Sequence, residues 1–261
     1  MPHLLPAAKP RRQSLTVRSR AAVQRVLRFA MAGLLAGTIS GCQGIVSSPV
    51  LSQLRIIDTS PDAPGLDIYQ NNAALVYNLG FGTITSYVPM TPGTYTISAK
   101  ADGTSQVLTS AKGTFVAGGQ YTALIGNVFA NLQETILTDQ SQAAPSGQIA
   151  LRFISQATHI SALDVYLVPA GQKLTAVTPV VTNLSFGINT GYLNIPNGTY
   201  TIVMVPTGTI PTSTTIATYV GPQVAYVNGS ASTIILIDQQ LVTTPGVQVI
   251  TATDFTPPTA T

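Results

Sequence analysis

The sequence predicts an all-β protein made of two tandem antiparallel β-sandwiches, and three observations carry that expectation. Only 8% of the 261 residues are charged, while Thr, Val, Ile, Tyr, Gly and Pro are plentiful, which is the composition of short strands joined by turns. Apolar and polar residues alternate: in "TYTISA" Tyr95, Ile97 and Ala99 share one face and Thr94, Thr96 and Ser98 the other, the period of a strand with one buried side. The chain also repeats itself. "FGTITSYVPMTPGTYTI" (81–97) returns 105 positions later as "FGINTGYLNIPNGTYTI" (186–202), and "LRIIDTSPDAPGLDIYQ" (54–70) returns 97 positions later as "LRFISQATHISALDVYL" (151–167). Turn signals such as "TPG", "ADG", "AGG" and "PNG" are close enough together to require many short strands.

Residues 1–41 read as an export leader. Seven of the twelve basic residues lie before residue 29 with no acid among them, and the uncharged, mainly apolar "FAMAGLLAGTIS" (29–40) follows. Twelve residues fall short of the roughly 20 that span a bilayer as a helix, but they match the apolar region of a secretory signal. Ile39, Ser40 and Gly41 before Cys42 resemble the lipobox of bacterial lipoproteins. That resemblance implies cleavage before Cys42, acylation of its thiol and new amino terminus, and the membrane as a partner, since two or more acyl chains anchor stably. Gln43, in place of the aspartate that retains such proteins at the inner membrane, implies the outer membrane of a diderm bacterium. Cys42 is the only cysteine, so an intramolecular disulfide is excluded.

From Cys42 onward there are five basic and nine acidic residues, so the basic balance belongs to the leader and the body has no electrostatic footprint for nucleic acid. Residues 42–53 form a short lipidated tether, 54–139 the first sandwich, 140–148 a polar linker with Pro145 and Gly147, 149–255 the second sandwich, and 256–261 a flexible tail. The second repeat carries eight extra residues between Tyr166 and Phe186, around "VPAGQKLTAVTP". Such an insertion belongs in a surface loop or hairpin tip, and is the first place to expect a partner. In the shared blocks, Phe81 and Phe186 read as core anchors and Gly82, Gly93, Gly187 and Gly198 as turn positions. Tyr87, Tyr95, Tyr192 and Tyr200 read as core or corner residues.

With Ser60, Pro61, Asp62, Ala63 and Pro64 in the first loop, Leu66, Asp67, Ile68 and Tyr69 in the next strand, and Phe81, Gly82, Tyr87, Pro92, Gly93, Thr94 and Tyr95 after it, the repeats resemble the bacterial family called domain of unknown function 4397. The resemblance covers roughly residues 54–255. It implies extracytoplasmic β-domains, often in tandem, with no established chemistry. The "PGTYTI" strand is similar to those of transthyretin-like sandwiches, which gives an immunoglobulin/transthyretin-like fold class. In the second repeat "SPDAP" has become "ATHIS" (157–161), without the prolines or the aspartate.

Candidate chemistry is sparse. Serine–histidine catalysis needs a base near neutral pH. His3 falls in the leader, and His159 has no counterpart in the first repeat, so it reads as a loop residue. Asp58, Asp62 and Asp67, at gaps of four and five, do not match a calcium loop; Asp62 reads as closing a turn. Asp67 with Tyr69, echoed by Asp164 with Tyr166, lies two positions apart on one strand face, either as a ligand-facing pair or as an aspartate satisfying backbone at a sheet margin. No cofactor or metal is implied. The expectation is a non-catalytic cell-envelope lipoprotein displaying two sandwiches for binding, adhesion or envelope structure, with an envelope protein or glycan as partner. The alternative is an accessory subunit of an envelope enzyme, or a solute binder acting on polysaccharide or peptide. In either reading, Asp62, Asp67, Asp164 and His159 are the loop and strand residues to locate.

Overall fold

In the computed structural model, residues 50–239 and 246–258 are described; the leader and Cys42 lie outside them. The alternating segments form strands, and residues Pro49–Thr261 make one compact unit. In the first repeat these are β1 (Ser52–Asp58), β2 (Leu66–Gln70), β3 (Ala73–Leu79), β4 (Val88–Met90), β5 (Gly93–Ala101), β6 (Val107–Phe115), β7 (Gln120–Gly126) and β8 (Gln133–Asp139). The second repeat gives β9 (Gln148–Ser155), β10 (Leu163–Pro169), β11 (Val181–Leu184), β12 (Asn189–Pro196), β13 (Gly198–Pro206), β14 (Tyr219–Tyr226), β15 (Ala231–Asp238) and β16 (Val247–Phe255).

Each repeat folds into two four-stranded sheets in matching order. We call them outer and inner: β3-β2-β5-β6 and β4-β1-β7-β8 in the first repeat, β11-β10-β13-β14 and β12-β9-β15-β16 in the second. The expected all-β pair of sandwiches is what forms, with one departure from antiparallel pairing in each. β1 and β7 run parallel, as do β9 and β15. The chain leaves the inner sheet after β1, builds the outer sheet, and returns, and a crossover of that length permits a parallel neighbour that no hairpin could supply.

Strand alternation explains why the inner sheets are buried on both sides. In β1, Leu54 and Ile56 join the core of the first sandwich with Leu66, Ile68, Ile97 and Phe115, while Ile57 turns the other way. In β9, Leu151 and Phe153 join the second core with Val165, Met204 and Ile234, while Ile154 turns back toward the first repeat. Ile57, Leu124, Ile154, Ile235 and Ile237 thereby form a third apolar cluster between the inner sheets. The segment read as a linker is attached to the second sandwich: the Ala144 N–H donates to the Gly229 carbonyl (3.0 Å) and the Gly147 N–H to Asn228 Oδ1 (2.7 Å).

Two readings of the repeated block need correction. Gly82 and Gly187 do hold positive φ angles of 74° and 82°, but Gly93 and Gly198 do not. They open β5 and β13 beneath the rings of Tyr95 and Tyr200, and a Cβ on Gly93 would fall 2.9 Å from the Tyr95 hydroxyl, so the aromatic two residues on fills the glycine's space. Phe81 packs on the apolar cluster between the inner sheets, whereas Phe186 is half-buried and joins none of the apolar clusters among the described residues.

Candidate functional site

The polar centre of the molecule is structural. Arg55 and Arg152, each inside an apolar strand, point between the inner sheets, and each reaches the aspartate of the other repeat. Arg152 donates to Asp139 Oδ1 (2.6 Å) and to the Thr138 carbonyl; Arg55 donates to Asp254 Oδ1 and to the Thr253 carbonyl. Asp139 also accepts from Thr122 and Tyr87, and Asp254 from Thr233 and Tyr192. The Arg55 guanidinium lies over the Tyr87 ring and that of Arg152 over Tyr192. Burial opposes the charge on Arg55, but Asp139 and Asp254 outweigh it and raise its pKa. Burial raises the Tyr87 phenol, reinforced by Asp139, so it stays a donor. The arrangement repeats about a two-fold relation and has matched charges and filled hydrogen bonds, so it cements the repeats and leaves nothing free for chemistry.

The residues singled out from sequence fall in four separate places. Asp62 accepts the Phe129 N–H (2.7 Å) at one end of the first sandwich. Asp67 accepts the N–H groups of Asn78 and Gly103; Asp164 accepts those of Asn183 and Gly208 and the Thr207 hydroxyl. Burial works against ionisation of Asp164, yet these three donors prevail and lower its pKa. His159 is exposed, with Nδ1 3.4 Å from Asp238 Oδ2 and 3.0 Å from the Thr158 hydroxyl. Cys42 lies outside the described residues. Two acids of the first sandwich are buried differently: Asp58 Oδ2 and both Glu134 oxygens have no hydrogen-bond partner among the described residues. Burial pushes Asp58 up to about 7 against the opposing Ser60 N–H, and Glu134 up to about 8.

The surfaces that differ are the far faces of the outer sheets. In the second repeat Tyr166, Val168, Val203 and Val205 form an apolar face covered by Leu174, Val177 and Ala217. The insertion expected to meet a partner is therefore a roof over its own sheet. In the first repeat the same register places Tyr69 beside Ser98 and Asp67 beside Lys100; Asp67 and Ser98 are buried, Tyr69 and Lys100 are half-buried, and no apolar roof packs over them among the described residues. Tyr77 is 66% exposed and stands edge-on to Tyr69, with ring centres 6.4 Å apart and planes at 87°. Lys100 Nζ sits over the Tyr69 ring at 4.1 Å. Thr96 pairs with exposed Lys112, Ser98 with exposed Ser110, and the Thr94 and Thr114 hydroxyls meet at 3.0 Å. Tyr77, Lys100 and Lys112 were not visible as a group in the sequence. The available signal is in β5 against β13: "TISAK" alternates, while "TIVMV" is apolar at every position after its threonine, as a strand buried on both faces must be.

Residues 52–166 match the family model described as domain of unknown function (DUF4397). This stretch is similar to DUF4397 domains. The match agrees with the resemblance read from the sequence and runs from the start of β1 into β10. The open face with Tyr69, Tyr77, Lys100 and Lys112 thus lies wholly within the DUF4397 stretch. No curated protein sequence matches the chain. Similar solved structures include a streptococcal virulence factor described as binding alpha-glucan, at 9% identity and a TM-score of 0.22, covering 59% of this chain and 80% of that one. Another is a Bacteroides fragilis protein described as a candidate cell adhesion protein, at 7% identity and a TM-score of 0.19, covering 82% of this chain and 100% of that one.

Proposed function

We propose that the protein is a non-catalytic binding module of the cell envelope, lipid-anchored through Cys42 at the outer membrane, whose DUF4397-like domain presents the far face of its outer sheet to an envelope protein or glycan. One observation carries the reading: equivalent faces of the two repeats are roofed in one and open in the other, and the open one groups two tyrosines with two lysines. Exposed aromatic rings beside hydrogen-bonding side chains are the usual material of a recognition surface. The buried arginine–aspartate centre supports the same reading, because it fixes both repeats as one rigid display. The lipobox at Cys42 supplies the anchor in this reading.

The binding claim is tested by capturing envelope extracts on wild type and on Tyr69→Ala/Tyr77→Ala, with thermal unfolding as the fold control. Loss of specific capture in a folded variant is the expected outcome; identical capture profiles refute the face. For the anchor, acyl labelling and membrane pelleting should both disappear in Cys42→Ala.

A further inference from the structure

The charge on the open face narrows its ligand. Among the described residues there are five basic side chains, of which Arg55 and Arg152 are locked between the inner sheets and Lys100, Lys112 and Lys173 reach solvent. Two of those three stand on this one face, and among the described residues neither is in an ion pair. Asp67, the carboxylate of the same face, has both oxygens occupied by the Asn78 and Gly103 N–H groups. The exposed carboxylates Asp62 and Asp102 sit in the loop before β2 and in the β5–β6 turn. The strands of the face therefore carry Lys100 and Lys112 against the one buried carboxylate of Asp67, a net positive charge of one.

Spacing adds a second constraint. Lys112 pairs with Thr96, four residues along β5 from Lys100. At about 3.4 Å per residue the two lysines stand about 14 Å apart, one strand over. A small anion meets one of them, whereas a polymer with repeated negative charge meets both. Beside them are the hydroxyls of Thr94, Thr96, Ser110 and Thr114, and beyond Lys100, across β2, stands the Tyr77 ring on β3. Hydroxyls and an open ring suit sugar hydroxyls and the apolar face of a sugar ring, and the Tyr69 ring holds the Lys100 ammonium in place.

From this charge and spacing, and resting on the reading of this sheet as a binding face, we infer that it binds an acidic polysaccharide. Lys100 and Lys112 meet the polymer's negative groups, and Tyr77, on β3 at the opposite edge of the sheet from β6, stacks on a sugar beyond Lys100.

The test uses residues 49–261, the compact unit that carries both sandwiches, so that the basic leader does not contribute. Binding is measured to dextran sulfate, polygalacturonate and neutral dextran, and to phosphatidylglycerol vesicles. Wild type should bind both acidic polymers and not dextran, weakening as salt rises. Lys100→Ala/Lys112→Ala should weaken binding about tenfold or more and Tyr77→Ala several-fold, while Lys173→Ala leaves it unchanged. All variants should keep the wild-type unfolding midpoint. Acidic polymers bound equally well by the lysine double variant, or not bound by wild type, overturn the inference. Dextran binding lost in Tyr77→Ala but kept in the lysine variant also overturns it while leaving the binding face intact. Binding of vesicles in place of polymers overturns it in favour of a lipid surface.

Discussion

The two outer sheets have the same strand order and occupy equivalent places, yet they treat their far faces in opposite ways. Where the first repeat has Ser98 and Lys100, the second has Val203 and Val205, and Tyr166 is buried where Tyr69 is half-exposed. The eight extra residues of the second repeat provide the cover. Each change requires the other, because an uncovered valine face would be a sticky patch and a roof over lysine would bury a charge. The difference is thus a matched set of substitutions, and the open sheet is what this fold presents without the added loop.

That contrast presupposes a common centre, and the largest expected effect comes from breaking it. Asp254→Ala leaves the Arg55 guanidinium between the inner sheets with Asp139, at 3.5 Å, as its remaining carboxylate, and should cost about 3 kcal/mol, roughly a 10 °C drop in Tm. Calorimetry should show both repeats melting in one transition; two resolved transitions would mean that the sandwiches are independent. Next comes exchange across the repeats. Val205→Lys places a charge beneath the roof and should cost about 3 kcal/mol by denaturant unfolding, whereas Lys100→Val should stay within about 0.5 kcal/mol. Equal costs would erase the contrast.

A smaller effect sharpens the comparison inside the sandwiches. Asp58 and Glu134 belong to the first repeat; Asp58 aligns with Ser155, and Val249 packs on the second core. Their folded pKa values of about 7 and about 8 lie above the ordinary carboxylate range. Their contribution is therefore fully present below about pH 4 and is lost as pH rises toward 7 and 8. Asp164 works in the other sense, its contribution falling away as pH drops below the ordinary carboxylate range. Asp58→Ser with Glu134→Gln should flatten Tm between pH 5 and 8, to within about 2 °C; an unchanged slope would refute the assignment. Smallest is the glycine under each tyrosine. Gly93→Ala should cost about 1 kcal/mol in chemical unfolding, and Gly198→Ala less, because its Cβ would stand 3.3 Å from the Tyr200 ring.

Much of the fold was legible because it depends on local signals. Alternation marks β5 and β13, and the gap-free alignment of Leu54 to Tyr69 on Leu151 to Tyr166 marks the repeat. The parallel β1–β7 and β9–β15 pairs were not, since strand direction within a sheet is set by the route of the chain and leaves no mark on a period of two. Arg55 and Arg152 were visible as aligned residues, but their exchange of partners depends on how two inner sheets meet. The insertion was found, but its packing was not: Leu174 and Val177 read as loop residues until the apolar run of β13 is seen to need cover. The open face escaped because Tyr69, Tyr77, Lys100 and Lys112 come from four strands, and only strand pairing brings them together.

The crossed arginine pairs also set a timetable. Synthesis delivers the first repeat well before the second, yet Arg55 in β1 waits for Asp254 in β16, one residue from the end of the last strand. The first sandwich can gather its own core early, but Arg55 has only Asp139, at 3.5 Å, as its carboxylate until nearly the whole chain has arrived. A chain cut short before β16 would therefore lose more than its final strand; it would leave its first one unfinished.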